Sequence, residues 1–132
     1  MNKRSFIQKA LLSLGAVTMA STIQAKPKKQ ISGRFIHMVF FWLKPEADAD
    51  EFITSTESFL KQVKEINSYH LGKPAGTPRE VVDNSYSVSL VVTFDSKEDQ
   101  DIYQKHEAHL KYIEDNNMKW TTVKIFDSWG AM

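Results

Sequence analysis

The chain holds four histidines and no cysteine. Proton-transfer or metal chemistry therefore falls to its imidazoles, carboxylates and phenols. The residues whose types and spacing invite chemistry are His37, Tyr103, His106, Glu107 and His109. An imidazole titrates near neutrality, so it can take a proton from carbon next to a carbonyl and return it to an alkoxide. A phenol can donate a hydrogen bond to a developing oxyanion. His106-Glu107-x-His109 sets two imidazoles three residues apart with a carboxylate between them, and His37 offers a third nitrogen. Zinc takes three or four converging ligands backed by fixed partners. The spacing here is not His-Glu-x-x-His, whose four-residue step keeps both imidazoles on one helical face. No metal centre is expected, and nothing in the chain is specific for haem or another cofactor. Each residue also has a plainer role. His37 reads equally as a buried histidine bonded to a backbone carbonyl. His106 reads as a helix C-terminal cap, where a cation suits the dipole, and Tyr103 as a core tyrosine whose hydroxyl is satisfied by His109.

Seven elements must position these groups. Arg34 to Leu43 is rich in aromatic and β-branched residues and apolar on both faces, as a strand covered on both sides reads; Lys44-Pro45 ends it. Asp48 suits a helix N-cap, with Glu51 three residues on as in a capping box. The helix that follows, to about Lys64, sets Phe52, Ile53, Phe59, Leu60 and Val63 on one stripe. A weaker strand runs from Ile66 to Leu71, and a Gly/Pro-rich loop from Gly72 to Pro78. Tyr86 to Phe94 alternates as a strand, with Val88, Leu90, Val92 and Phe94 on one face. Asp95-Ser96 caps a helix from Lys97 to Lys105. A short helix between His109 and Asp115 and a last strand from Trp120 to Trp129 complete the chain.

The order strand, helix, strand, strand, helix, strand predicts an α+β, ferredoxin-like βαββαβ fold. It has a four-stranded antiparallel sheet with helices on one face. His37 then faces the helices with Phe35, Val39 and Phe41. The other face, with Ile36, Met38, Phe40 and Trp42, is too apolar to stay bare. A second copy is expected to cover it, the two sheets packing back to back as a dimeric α/β barrel.

The N-terminus reads differently. Lys3, Arg4 and Lys9 precede or flank an apolar run from Ala10 to Ala20, with no acidic residue before Glu46. A small-residue exit at Ile23-x-Ala25 follows. This is the tripartite pattern of an export signal, and the run is shorter than the ~20 apolar residues a membrane-spanning helix needs. Residues 1–25 are expected to be a signal peptide, with cleavage after Ala25 or, second, after Ala20. Residues 26–33 read as a linker and 34–130 as the domain. Lys3-Arg4-Ser5-Phe6-Ile7 resembles a twin-arginine motif with lysine in the first position; a general secretory route is the default. Without cysteine there is no lipobox, so no membrane anchor is expected after cleavage, and the destination is the periplasm or the outside. Trimming leaves 14 basic against 16 acidic residues. A mildly acidic domain with no basic face is not expected to bind nucleic acid.

From Asn84 to Ser96, through Tyr103-Gln104-Lys105-His106-Glu107-Ala108-His109, to Trp120 and Ile125-Phe126-Asp127, the chain resembles the stress-responsive dimeric α/β barrel family. Ile36-His37-Met38-Val39-Phe40 is similar to that family's opening strand, and the resemblance runs from about Phe35 to Trp129. It implies a homodimer. A plant polyketide cyclase of that family works without metal or organic cofactor and uses a tyrosine and a histidine in this segment. The resemblance places those roles on Tyr103, as oxyanion donor, and His109, as base. This chain carries Glu107 where the family usually has proline, which sets a carboxylate beside the two histidines. The expected ligand is a small apolar or aromatic molecule held in an intra-subunit pocket lined by His37, Val39, Phe41, Phe52, Ile53, Val88, Leu90 and Trp120. Two rival readings are a cofactor-independent lyase or cyclase and a non-catalytic, stability-type protein.

Overall fold

The computed structural model describes residues 29–130. The expected signal peptide and the first part of the linker lie outside the described residues, and the folded unit begins at Ile31. Its strands are β1 (Phe35–Leu43), β2 (Ser68–Gly72), β3 (Val88–Phe94) and β4 (Trp120–Trp129). Its helices are α1 (Ala49–Leu60), α2 (Lys97–Lys105) and α3 (Glu107–Asn116), and a 3-10 turn (Asn117–Lys119) leads into β4. All pairings are antiparallel, in the order β2-β3-β1-β4. This is the ferredoxin-like sheet.

Alternation on β1 decides the layering. Phe35, His37, Val39 and Phe41 are buried toward the helices, while Ile36, Met38, Phe40 and Trp42 are only half covered. The core lies between that helix-facing side and α1–α3, where Phe52, Val88, Val92 and Phe94 have no solvent exposure. Its aromatic rings meet edge to face, as Phe41 and Phe52 do at 4.9 Å, the geometry that ring quadrupoles favour.

The Asp48 carboxylate accepts from the Asp50 and Glu51 N–H groups at 2.8 and 3.0 Å and so starts α1. The helix stops at Leu60, short of the expected Lys64. Gln62 and Val63 close three-residue turns onto Phe59 and Leu60, which swing the chain toward β2 while keeping Val63 buried. At α2 the cap is Ser96, which accepts from the Asp99 N–H; Asp95 instead accepts from the Asn67 amide at 2.7 Å. The expected break before His109 falls earlier, at His106, so α3 begins at Glu107.

Part of the expected linker is fixed. Gly33 has φ +99°, and a Cβ there would lie 2.8 Å from the Thr93 side chain. Both the left-handed backbone and the close approach require glycine. Gly33→Ala is expected to lower stability by about 2–3 kcal/mol, measured as a shifted urea midpoint with an unchanged slope.

Candidate functional site

β1 delivers His37. The register sets it between Val92 on β3 and Asp127 on β4. Its Nδ1 lies 2.5 Å from Oδ1 of Asp127. The imidazole is nearly fully buried (4% exposed) and the carboxylate partner is 43% exposed.

The α2–α3 corner delivers the rest. Tyr103 lies in the last turn of α2, and its carbonyl accepts from the His106 N–H. His106 then turns to extended backbone (φ −61°, ψ 137°), and its Nδ1 accepts from the Ala108 N–H at 3.0 Å. The expected cationic cap of α2 is thus corrected: the ring caps the start of α3 as an acceptor, because the second helix begins one residue later. Glu107 occupies the first turn of α3, where a carboxylate suits the dipole and where proline would also fit.

His109 sits one turn into α3. Its Nδ1 lies 3.1 Å from the Gln104 carbonyl. A carbonyl only accepts, so Nδ1 carries the proton and Nε2 keeps its lone pair. Burial pushes the His109 pKa below the ordinary 6.5; the Gln104 carbonyl opposes this, and His37 and His106 add to it. The ring is therefore neutral at neutral pH. Tyr103 lies beside it, centroids 4.6 Å apart, and 5.8 Å from His37. Burial, with Tyr112 adding to it, raises the Tyr103 pKa far above its usual value, so the phenol stays a donor.

The expectation that His109 satisfies the Tyr103 hydroxyl is corrected: the rings lie side by side, and the hydrogen bond of His109 is the one from Nδ1 to the Gln104 carbonyl. Among the described residues the Tyr103 hydroxyl has no hydrogen-bond partner, yet no fully occluded side-chain N or O is left unpaired. Its oxygen therefore opens on a cavity of about 290 Å³. Tyr112, by contrast, is anchored: its hydroxyl lies 2.6 Å from that of Thr56, which itself donates to the Phe52 carbonyl.

Of the expected pocket residues, His37, Val39, Phe41, Leu90 and Trp120 line the cavity, as do Tyr103 and His109. Phe52, Ile53 and Val88 do not. Phe52 lies behind Phe41 and Trp120, Val88 is wholly buried in the core, and Ile53 packs at the core's edge. Strand and helix periodicity gives the side a residue faces but not its depth. Gln104, Tyr112 and Ile113 from the helices, and Val123 and Ile125 from β4, take those places. Alternation along Trp120–Trp129 carried the signal for the β4 pair. Asp127 was readable only through the β1–β4 register. Among the described residues no three His, Asp or Glu side chains converge as metal ligands would.

Sheet, helices and a half-open cavity define a ferredoxin-like α+β domain with a small-molecule-sized pocket between its layers. The chain belongs to the stress-responsive A/B barrel domain (Dabb) family, whose model matches residues 35–129. No curated protein matches it in sequence. Solved structures similar to it include an Arabidopsis thaliana protein at 20% identity and TM-score 0.65, covering 74% of this chain and 96% of that one. A hydroxynitrile lyase from Passiflora edulis matches at 14% identity and TM-score 0.66, covering 76% and 96%. A dimeric ferredoxin-like protein from Thermobifida fusca matches at 16% and 0.61, covering 80% and 99%. Identities this low establish the shared fold.

Proposed function

We propose that the domain is exported and homodimeric, and that each subunit binds a small, largely apolar, carbonyl-bearing or aromatic molecule. One observation carries the ligand reading. The cavity of about 290 Å³ has apolar walls from Val39, Phe41, Leu90, Trp120 and Ile125, with His37, Tyr103 and His109 converging on it. That is the composition of a site that desolvates an apolar body and orients it through a few polar groups. Export rests on the basic, apolar and small-residue pattern of residues 1–25. The dimer is supported by the dimeric relatives and by the half-covered β1 row on the helix-free face, beside which Phe126 is 54% exposed.

Trp120 in the wall makes binding visible. Benzaldehyde is expected to quench tryptophan emission saturably. Tyr103→Phe should weaken it about 3- to 10-fold, one neutral hydrogen bond, while leaving toluene unaffected. If neither these probes nor related ketones and phenols alter the emission or the melting temperature, the ligand reading fails. A monomer at micromolar concentration in light scattering would remove the dimer.

A second reading is favoured by the hydrogen-bond polarity at His109. A neutral imidazole with its Nε2 lone pair free, beside a phenol held protonated, is the pairing acid–base lyase or cyclase chemistry uses. His109 Nε2 would take a proton from carbon beside a carbonyl, the C–H pair moving onto the carbonyl oxygen. Tyr103 would donate to that oxyanion, the enolate carbon would bond to a second carbonyl carbon whose π pair becomes an alkoxide, and His109 would return the proton to that alkoxide. The relative that is a hydroxynitrile lyase supports trying an aromatic cyanohydrin first. There His109 would take the hydroxyl proton, the O–H pair would form the carbonyl, and the C–C pair would leave with cyanide, which takes up a proton.

A further inference from the structure

Two histidines open on one cavity, and their outer nitrogens are held by chemically different partners. His109 rests on a backbone carbonyl, which cannot titrate. His37 rests on a carboxylate, at 2.5 Å. We propose that His37, positioned by Asp127, is a second proton-transfer group of this cavity, acting on a different ligand atom from His109. The inference rests on the ligand reading above and adds a residue, Asp127, that nothing else places in the site.

The geometry supports it in three ways. His37 and Asp127 are directly opposed across the β1–β4 ladder, so two strand backbones fix their separation. With Nδ1 committed to Asp127, the second nitrogen is the group left for the cavity; among the described residues it has no partner, and it is not an occluded orphan. Charge is also provided for. When the ring is an imidazolium, the carboxylate offsets its charge, as the aspartate of a catalytic triad does without taking the proton. Among the described residues the titratable groups facing His37 are Asp127 from β4, Tyr103 from α2 and His109 from α3. Its strand neighbours Phe35, Val39 and Val92 are apolar.

The step balances within the site. His109 Nε2 takes a proton from one ligand atom, and the bonding pair stays with the ligand. The His37 imidazolium gives its Nε2 proton to the second atom, which has gained that pair. The Nδ1–H stays on the ring throughout, bonded to Asp127. One ring gains a proton and the other loses one, and exchange with water after product leaves restores both. A site with a base and an acid of this kind fits addition to, or elimination from, a carbonyl carbon.

Nitrogen-15 NMR of the histidines in ligand-free protein tests the pair without a substrate. Wild type should show His37 protonated at Nδ1, with a far-downfield proton. In Asp127→Asn the amide NH₂ faces Nδ1, and the ring should switch to the Nε2–H tautomer; Asp127→Glu should retain the native one. With mandelonitrile as probe, Asp127→Asn should lower kcat about 100-fold or more with KM within about twofold. An unchanged tautomer in Asp127→Asn, or a wild-type His37 that carries its proton at Nε2, overturns the proposal. If wild type leaves mandelonitrile intact, the lyase reading is lost, while the tautomer still decides the pair.

Discussion

Replacing Phe52 with alanine is expected to cost the domain about 3–5 kcal/mol, the range for deleting a buried aromatic side chain. Phe52 has no solvent exposure and meets Phe41 at 4.9 Å, Trp120 at 6.1 Å and Tyr112 at 6.3 Å. Small domains keep only about 5–15 kcal/mol in total, so the variant should sit close to unfolding at 37 °C. Phe41, Trp120 and Tyr112 are also cavity walls, so the void left behind undermines the site from below. Benzaldehyde quenching should therefore disappear in Phe52→Ala even at temperatures where circular dichroism still reports a fold. Phe52→Leu, which keeps most of the volume, should retain both. A urea melt showing a loss under about 1 kcal/mol would mean that α1 does not support the chamber in this way.

The second large effect concerns His109. His109→Ala is expected to cut turnover of any substrate by about 10²- to 10⁴-fold, the contribution of a positioned acid–base group. pH should act on the same residue through two routes. The folded-state pKa lies below the ordinary 6.5, so between those values the unfolded chain binds more protons than the folded one. Stability therefore rises with pH across that window, is complete above 6.5, and is lost as pH falls through the lowered value. Turnover should fall in acid for its own reason, because protonation fills the Nε2 lone pair. His109→Phe keeps the ring packing against Phe59 and Tyr103 and should remove that residue's share of the stability slope. An identical acid limb in stability for wild type and His109→Phe would assign the slope to another group.

How much of this was legible beforehand follows from what periodicity encodes. The alternation on β1 placed His37 on the helix side, and the caps at Asp48 and Ser96 marked both helix starts, since these signals are local. Depth was not local. Phe52 and Val88 have the same pattern as cavity residues, and their places behind the wall depend on how α1 seats on the sheet. Gln104, a polar residue on α2, escaped because its type carries no pocket signal, and Tyr112 and Ile113 escaped because how α3 seats on the sheet after the break at His106 is not encoded locally. Asp127 escaped most completely. Its partner lies 90 residues away, and only the strand register, set by the whole sheet, makes them neighbours. The resemblance to a known family singled out Tyr103 and His109, but it could not show that His109 turns its other nitrogen to Gln104.

The position of β4 in the sheet has a consequence for how a ligand is felt. Like β2 it is an edge strand, and it pairs with β1 alone, so its detachment breaks a single ladder and carries Val123, Ile125 and Asp127 away together. The β2-β3-β1 ladder and the helices would keep most of the buried core. A molecule lodged between β4 and the α2–α3 corner thus bridges the seam between an edge strand and the helices and works as a clasp. At a hundred times its Kd it adds about 2.7 kcal/mol, and that gain should be concentrated in the amides of one strand. Slowed hydrogen exchange from Trp120 to Trp129, against little change in β3, would be the signature of occupancy. The same seam argues for placing any fusion partner at the other end of the domain.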